Sequence, residues 1–213
     1  MGAADKVLGQ CRKPSGLFGR FILWDMNRHH SNLTDWGLSY VTIQKTDTIL
    51  DVGCGGGRTI NKLANIAEKV HGIDYSEESV IAAHRSNKRW IDIGRVSIRE
   101  GTVSQLPFPD GTFDLVTAIE THLFWPDLPS DFREIFRVLK SGGQLLIVAE
   151  IYKGGKHLDG VRKQIFEKHL AANMNLLTPD EHRELFTNAG FSNVEIFEEL
   201  DKGWICAVGK KPR

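Results

Sequence analysis

The apolar run Thr48–Val52 passes directly into a glycine cluster, Gly53-Cys54-Gly55-Gly56-Gly57, after which Ile60, Leu63, Ala64 and Ala67 recur at helical spacing. A buried strand that turns into a helix through residues without side chains leaves few folds open. Glycine accepts positive φ and lets a ligand lie against bare backbone. In open α/β sheets that corner, at the carboxyl end of a strand, is where ligands bind.

The rest of the chain continues the alternation. Val70–Asp74 reads as a second strand, followed by a polar helix from near Ser76, with Glu77 and Glu78 at its positive N-terminal end. Val96–Arg99 is a third strand, and Phe113–Ile119 a fourth, launched from a Pro109-Asp110-Gly111 turn. Phe132, Ile135, Phe136 and Leu139 share one helical face that Ser141-Gly142-Gly143 closes, and Leu145–Ala149 is a fifth strand. A helix is expected near Leu158–Ala172, and Thr178-Pro179-Asp180-Glu181 is a capping box opening a helix that Gly190 ends. Strands near Val194–Phe197 and Trp204–Val208, with a short polar link at Leu200–Gly203, suit an antiparallel hairpin.

This pattern predicts an α/β fold: a Rossmann-like, doubly wound sheet of seven strands, mostly parallel, with the antiparallel hairpin at its C-terminal end. Residues 1–46 differ from the rest. They carry scattered aromatics (Phe18, Phe21, Trp24, Trp36, Tyr40) and a short helix from Ser31 or Asn32 to Val41. They are expected to form an N-terminal helical lid on a ligand-binding domain of residues 47–213.

Lys+Arg and Asp+Glu both number 27, so the chain lacks the positive field that gathers nucleic acid. Arg85, Lys88, Arg89, Arg95 and Arg99 read as a solvated helix face. Cys11, Cys54 and Cys206 are odd in number and far apart, which suits free thiols in a reducing compartment and no zinc site. No apolar run has the length of a signal peptide or membrane span, so the expected location is cytoplasmic.

A glycine turn alone does not choose among nucleotide cofactors, because dinucleotide enzymes place G-x-G-x-x-G at the same corner. Here the spacing is G-x-G-x-G, with Asp51 inside the strand end and Asp74 ending the next strand, 21 residues beyond Gly53. A carboxylate there can accept from both ribose hydroxyls and disfavours a 2′-phosphate.

With these features the sequence resembles the class I S-adenosylmethionine-dependent methyltransferases, specifically the methyltransferase type 11 group, over roughly Asp47 to Glu150. Asp51-Val52-Gly53-Cys54-Gly55-Gly56-Gly57 is similar to the family's first motif and Gly72-Ile73-Asp74-Tyr75-Ser76 to its ribose-binding strand end. The run from Gly101 to Asp114 resembles its adenine-side segment, and Arg137-Val138-Leu139-Lys140-Ser141-Gly142-Gly143 the approach to its fifth strand. The resemblance implies that S-adenosylmethionine is the cofactor. Gly53, Cys54 and Gly55 would pass beneath its methionine part, with Asp51 in the same motif. Asp74 would hold the ribose, and Tyr75 would pack on adenine. The Val103 N–H would bond an adenine ring nitrogen, and the Ile119 carbonyl would face the methionine amino group. Thr102 stands where the family usually has Asp to accept from the adenine amino group, which implies weaker anchoring of the base.

Methyl transfer from a sulfonium needs positioning and, for some acceptors, a base, but no metal. Glu120 and His122, just past the fourth strand, are the candidate catalytic residues, and His30 in the lid is a candidate substrate contact. The acceptor is expected to be a small molecule; the fourth strand does not end in Asn-Pro-Pro-Tyr or Asp-Pro-Pro-Tyr, the signature of enzymes that methylate amino groups of nucleobases and glutamine. Neither nucleic acid nor membrane is an expected partner, and the oligomeric state is not legible. Two alternatives remain open at this point: an NAD-dependent oxidoreductase of Rossmann type, although its G-x-G-x-x-G is absent, and a non-catalytic module that only binds the cofactor.

Overall fold

The computed structural model describes residues 31–156 and 174–213. The described elements are α1 (Ser31–Leu38), β1 (Thr48–Val52), α2 (Arg58–Ala64), β2 (Lys69–Asp74), α3 (Glu77–Ser86), α4 (Lys88–Asp92) and β3 (Val96–Glu100). They continue with β4 (Phe113–Ile119), a 3-10 turn (His122–Phe124), α5 (Leu128–Val138), β5 (Leu139–Ala149), α6 (Pro179–Asn188), β6 (Ser192–Glu199) and β7 (Trp204–Lys210). One seven-stranded sheet runs in the order β3-β2-β1-β4-β5-β7-β6. The first five strands in that order pair in parallel, while β7 pairs antiparallel with both β5 and β6. Strand order reverses between β1 and β4, and their carboxyl ends open the crevice where such sheets take ligands.

Successive strand residues point to opposite faces, and both faces are covered. Ile49 joins a cluster with Ile60, Leu63 and Val148, while its neighbour Leu50 joins Phe113, Phe132 and Phe186 on the far side. Helix α1 lies on the first of these faces. Gly37 sits so close to Val148 of β5 that a Cβ there would collide with its side chain. An Asp35–Lys62 ion pair ties α1 to α2, and Tyr40 stacks on Phe197 with ring centroids 3.9 Å apart. The early aromatics in the described region therefore cover the sheet.

Some expected helix ends hold and others do not: α1 stops at Leu38, short of the expected Val41. The Thr178 hydroxyl and Glu181 carboxylate form the reciprocal capping box at the start of α6. Helix α5, however, ends at Val138, and Leu139 is already extended and paired with Phe113, so β5 begins six residues before the expected Leu145. Leu139 is fully buried as a strand residue, so its place in the apolar period did not reveal the break. The expected helix near Leu158–Ala172 lies outside the described residues, as does His30.

Candidate functional site

The carboxyl ends of β1, β2 and β4 surround a cavity of about 330 Å³. Its floor is the turn after β1. Gly53 takes φ +69°, and a Cβ there would stand 2.5 Å from Thr121 Cγ2, so a side chain at this position would be both strained and crowded. The Gly53 and Cys54 N–H groups donate to the Ile73 carbonyl, at 2.8 and 3.0 Å, which stitches the turn to β2.

Two carboxylates close this end. Asp74 is 8% exposed. One oxygen accepts from the Gly55 N–H at 2.8 Å and the other from the Ser76 N–H at 2.9 Å, so its orientation is set by backbone. Burial pushes its carboxyl up, and those two hydrogen bonds oppose the shift. Asp51 is deeper, at 2% exposure, and accepts from the Thr117 hydroxyl at 2.7 Å. Burial pushes it up to about 7; the Thr117 bond opposes this and the nearby Asp74 charge adds to it. The Cys54 thiol between them is driven well above its usual range by burial first and by both acids, so it is a packed, unreactive group.

Gly53, Cys54, Gly55, Asp51, Asp74 and Tyr75 thus line one cavity together with Thr102, Val103 and Ile119. Thr102 and Gln105 pair across a tight turn, which puts Val103 and Ser104 at its tip. Glu120 also lines the cavity. Its φ of +62° is uncommon outside glycine, and its carboxylate accepts from the Glu150 N–H at the end of β5. That bond and the Thr121 hydroxyl, which donates to the Val52 carbonyl at 3.1 Å, fasten the end of β4 to its neighbours.

His122 stands apart. It is fully buried and does not line the cavity; its Nε2 faces His182 Nε2 at 3.3 Å. His182 Nδ1 lies 2.8 Å from the Thr178 carbonyl and so carries the proton, which leaves its Nε2 as the acceptor for His122 Nε2–H. Burial holds both rings below the ordinary histidine range, and the neighbouring His182 adds to this for His122.

Sequence reasoning missed several lining residues. Arg58 adjoins the glycine cluster and could have been noticed as a cation at a ligand corner. Thr34 on α1 and Phe124, Trp125 and Pro126 after the 3-10 turn reach the cavity through tertiary packing, which leaves no local signal. Sequence reasoning also overlooked that Tyr152 and Lys156 have the Tyr-x-x-x-Lys spacing of some oxidoreductases. Neither lines the cavity: the Tyr152 hydroxyl donates to Glu198 at 2.6 Å and Lys156 pairs with Asp201 at 3.4 Å. Burial and Glu198 push the Tyr152 phenol up to about 12. In the basic set, Arg89 and Arg95 stack on Trp90, at 4.3 and 5.0 Å from its ring centre. No helix of the described residues is long and apolar enough to cross a membrane, and among them no cluster of His, Cys, Asp and Glu is arranged to hold a metal.

A family model described as a methyltransferase domain matches residues 50–147, the stretch that builds this cavity. Over those residues the chain matches the type 11 group of class I S-adenosylmethionine-dependent methyltransferases. Among relatives of this methyltransferase, the uncharacterized methyltransferase YdaC of Bacillus subtilis is 26% identical over 192 residues, covering 88% of this chain and 96% of its own. The 27-O-demethylrifamycin SV methyltransferase of Amycolatopsis mediterranei is 33% identical over 141 residues, 59% of this chain, and the match spans only 52% of that enzyme. In fold, the methyltransferase superposes with a TM-score of 0.76 on a chain of the Haloferax volcanii complex between the Trm112 methyltransferase activator and a methyltransferase. Sequence identity there is 23%, with 90% of this chain and 93% of that one covered.

Proposed function

We propose that the protein moves the methyl group of S-adenosylmethionine to a small-molecule acceptor held above the ends of β4 and β5. One observation carries this reading: two buried carboxylates, Asp51 and Asp74, open with a bare glycine turn onto one cavity. Such a cradle suits a nucleoside with a cationic amino-acid tail. The turn would be filled by a single Cβ at Gly53, and acids raised by burial gain from a donor or cation that favours their charged form.

In this reading Asp74 accepts from the ribose hydroxyls and Tyr75 packs on the base, while the Val103 N–H meets a ring nitrogen. Asp51 and the Ile119 carbonyl face the methionine ammonium, and Gly53, Cys54 and Gly55 run beneath the chain. Arg58 is the one cation among the described lining residues, and with the Thr34 hydroxyl it suits the methionine carboxylate. The bound cofactor supplies an electrophilic methyl on sulfur. What remains for the protein is to place the acceptor's lone pair, exclude water and take up a proton where the acceptor carries one. Glu120, at the cavity wall, is the group placed for that last task. His122 acts through packing against α6.

The test is calorimetric titration with S-adenosylhomocysteine and with NAD, followed by a tritium-methyl transfer screen across oxygen, nitrogen, sulfur and carbon acceptors. Binding of NAD with none of S-adenosylhomocysteine would reverse the cofactor assignment. Tight binding without transfer to any small molecule, alone or with an activator protein added, would leave a cofactor-binding module.

A further inference from the structure

The turn that carries Val103 contains a group with no assigned task. Ser104 is exposed on the cavity wall, and its hydroxyl donates to Asp131 at 2.7 Å. Asp131, in the first turn of α5, is fully buried, and its second oxygen accepts from the Asp127 N–H at 3.1 Å. Both carboxylate oxygens are therefore engaged, and the single Ser104 proton is committed to the acid behind it. What the hydroxyl offers to the cavity is lone pairs only. A hydroxyl whose proton is donated to a carboxylate is also a better acceptor, because bonds in a chain polarise one another.

The turn is held in place from the same helix. The Leu106 N–H donates to Glu134 at 2.8 Å, and Arg137 bridges Glu134, the Leu106 carbonyl and the Phe108 carbonyl. Adenine presents a ring-nitrogen acceptor beside an amino donor, so its recognition needs a donor next to an acceptor. Val103 provides the N–H. Thr102 also offers a hydroxyl that can accept, but among the described residues no carboxylate takes its proton, whereas Asp131 takes that of Ser104.

We infer that the Ser104 hydroxyl, polarised by Asp131, is the acceptor for the adenine amino group and makes the site selective for a 6-aminopurine. This rests on the cofactor assignment above and adds the residues that choose its base.

A double-mutant cycle in the ligand and the protein tests it. Calorimetry would compare S-adenosylhomocysteine with its 6-deamino purine analogue, on the wild type, Ser104→Ala and Ser104→Thr. The wild type should prefer the amino compound by about tenfold, the size of one good hydrogen bond. Ser104→Ala should bind S-adenosylhomocysteine about tenfold more weakly and show no preference, while Ser104→Thr keeps it. Thermal melting of the free proteins separates this from a folding effect, since a merely structural Ser104–Asp131 link would lower stability and weaken both ligands equally. Equal weakening, or an undiminished preference in Ser104→Ala, would overturn the inference. Failure of the wild type to bind either compound would instead overturn the cofactor assignment, and this inference with it.

Discussion

The two ends of the cavity are built on different principles. At the proposed donor end, from β1 to the turn at Val103, the shape is set by backbone: glycines, strand-end carbonyls, and N–H groups that orient Asp74. At the proposed acceptor end, beyond Ile119, side chains such as Glu120, Phe124 and Trp125 form the lining. The Glu120 carboxylate at the cavity wall meets the Glu150 N–H, and outside the cavity, behind that wall, His122 meets His182 and Tyr152 meets Glu198. A backbone cradle holds one ligand and tolerates little change. A side-chain wall can be rebuilt around another acceptor without disturbing the donor.

The contrast predicts that donor-end changes alter affinity and acceptor-end changes alter stability. The largest effect is expected for Asp74→Ala. Hydrogen bonds to a charged group are worth about 1.5–3 kcal/mol each, so losing two from the ribose should weaken S-adenosylhomocysteine by more than about a hundredfold in calorimetry. Unchanged affinity would break the comparison at its strongest point. His182→Ala, at the other end, leaves His122 Nε2–H without its acceptor and should cost about 1–3 kcal/mol in urea unfolding, with the affinity for S-adenosylhomocysteine within about twofold of wild type.

A pH titration comes next. In the free protein Asp51 holds its proton below about pH 7, whereas an ammonium beside it favours the carboxylate. Binding at lower pH must therefore expel that proton, so affinity should rise with pH by up to about tenfold per unit and level off above about 7. Asp51→Asn should flatten the curve, as judged by calorimetry in buffers of different ionisation heat. The smallest expected effect is Thr34→Val, a loss of a few-fold for S-adenosylhomocysteine and about none for 5′-methylthioadenosine, which lacks the carboxylate.

The same contrast governs what the sequence disclosed. The glycine turn, Asp51, Asp74 and the Val103 turn lie in contiguous segments whose spacing survives in any reading of the chain, so this corner and the mostly parallel sheet around it were legible. Thr34 was not, because only the packing of α1 through Gly37 onto Val148 brings it to the cavity. Ser104 escaped notice because its partner, Asp131, is an ordinary first-turn acid until the fold buries it. His122 misled for the opposite reason. Its position after β4 and its intrinsic basicity suit a catalytic base, yet those properties say nothing of which way the ring turns, and here it turns toward α6.

The place of β7 bears on how the molecule is assembled. This strand is translated after β6 yet lies between β6 and β5. Until residues 204–210 leave the ribosome, β5 presents an open row of amides and carbonyls and β6 has no neighbour to join. The half of the sheet proposed to cradle the nucleoside can order first, while the nascent protein stays exposed to wrong pairing along one flank. A premature stop a few codons before Trp204 would then yield aggregated protein, even though every residue assigned to the donor would be present.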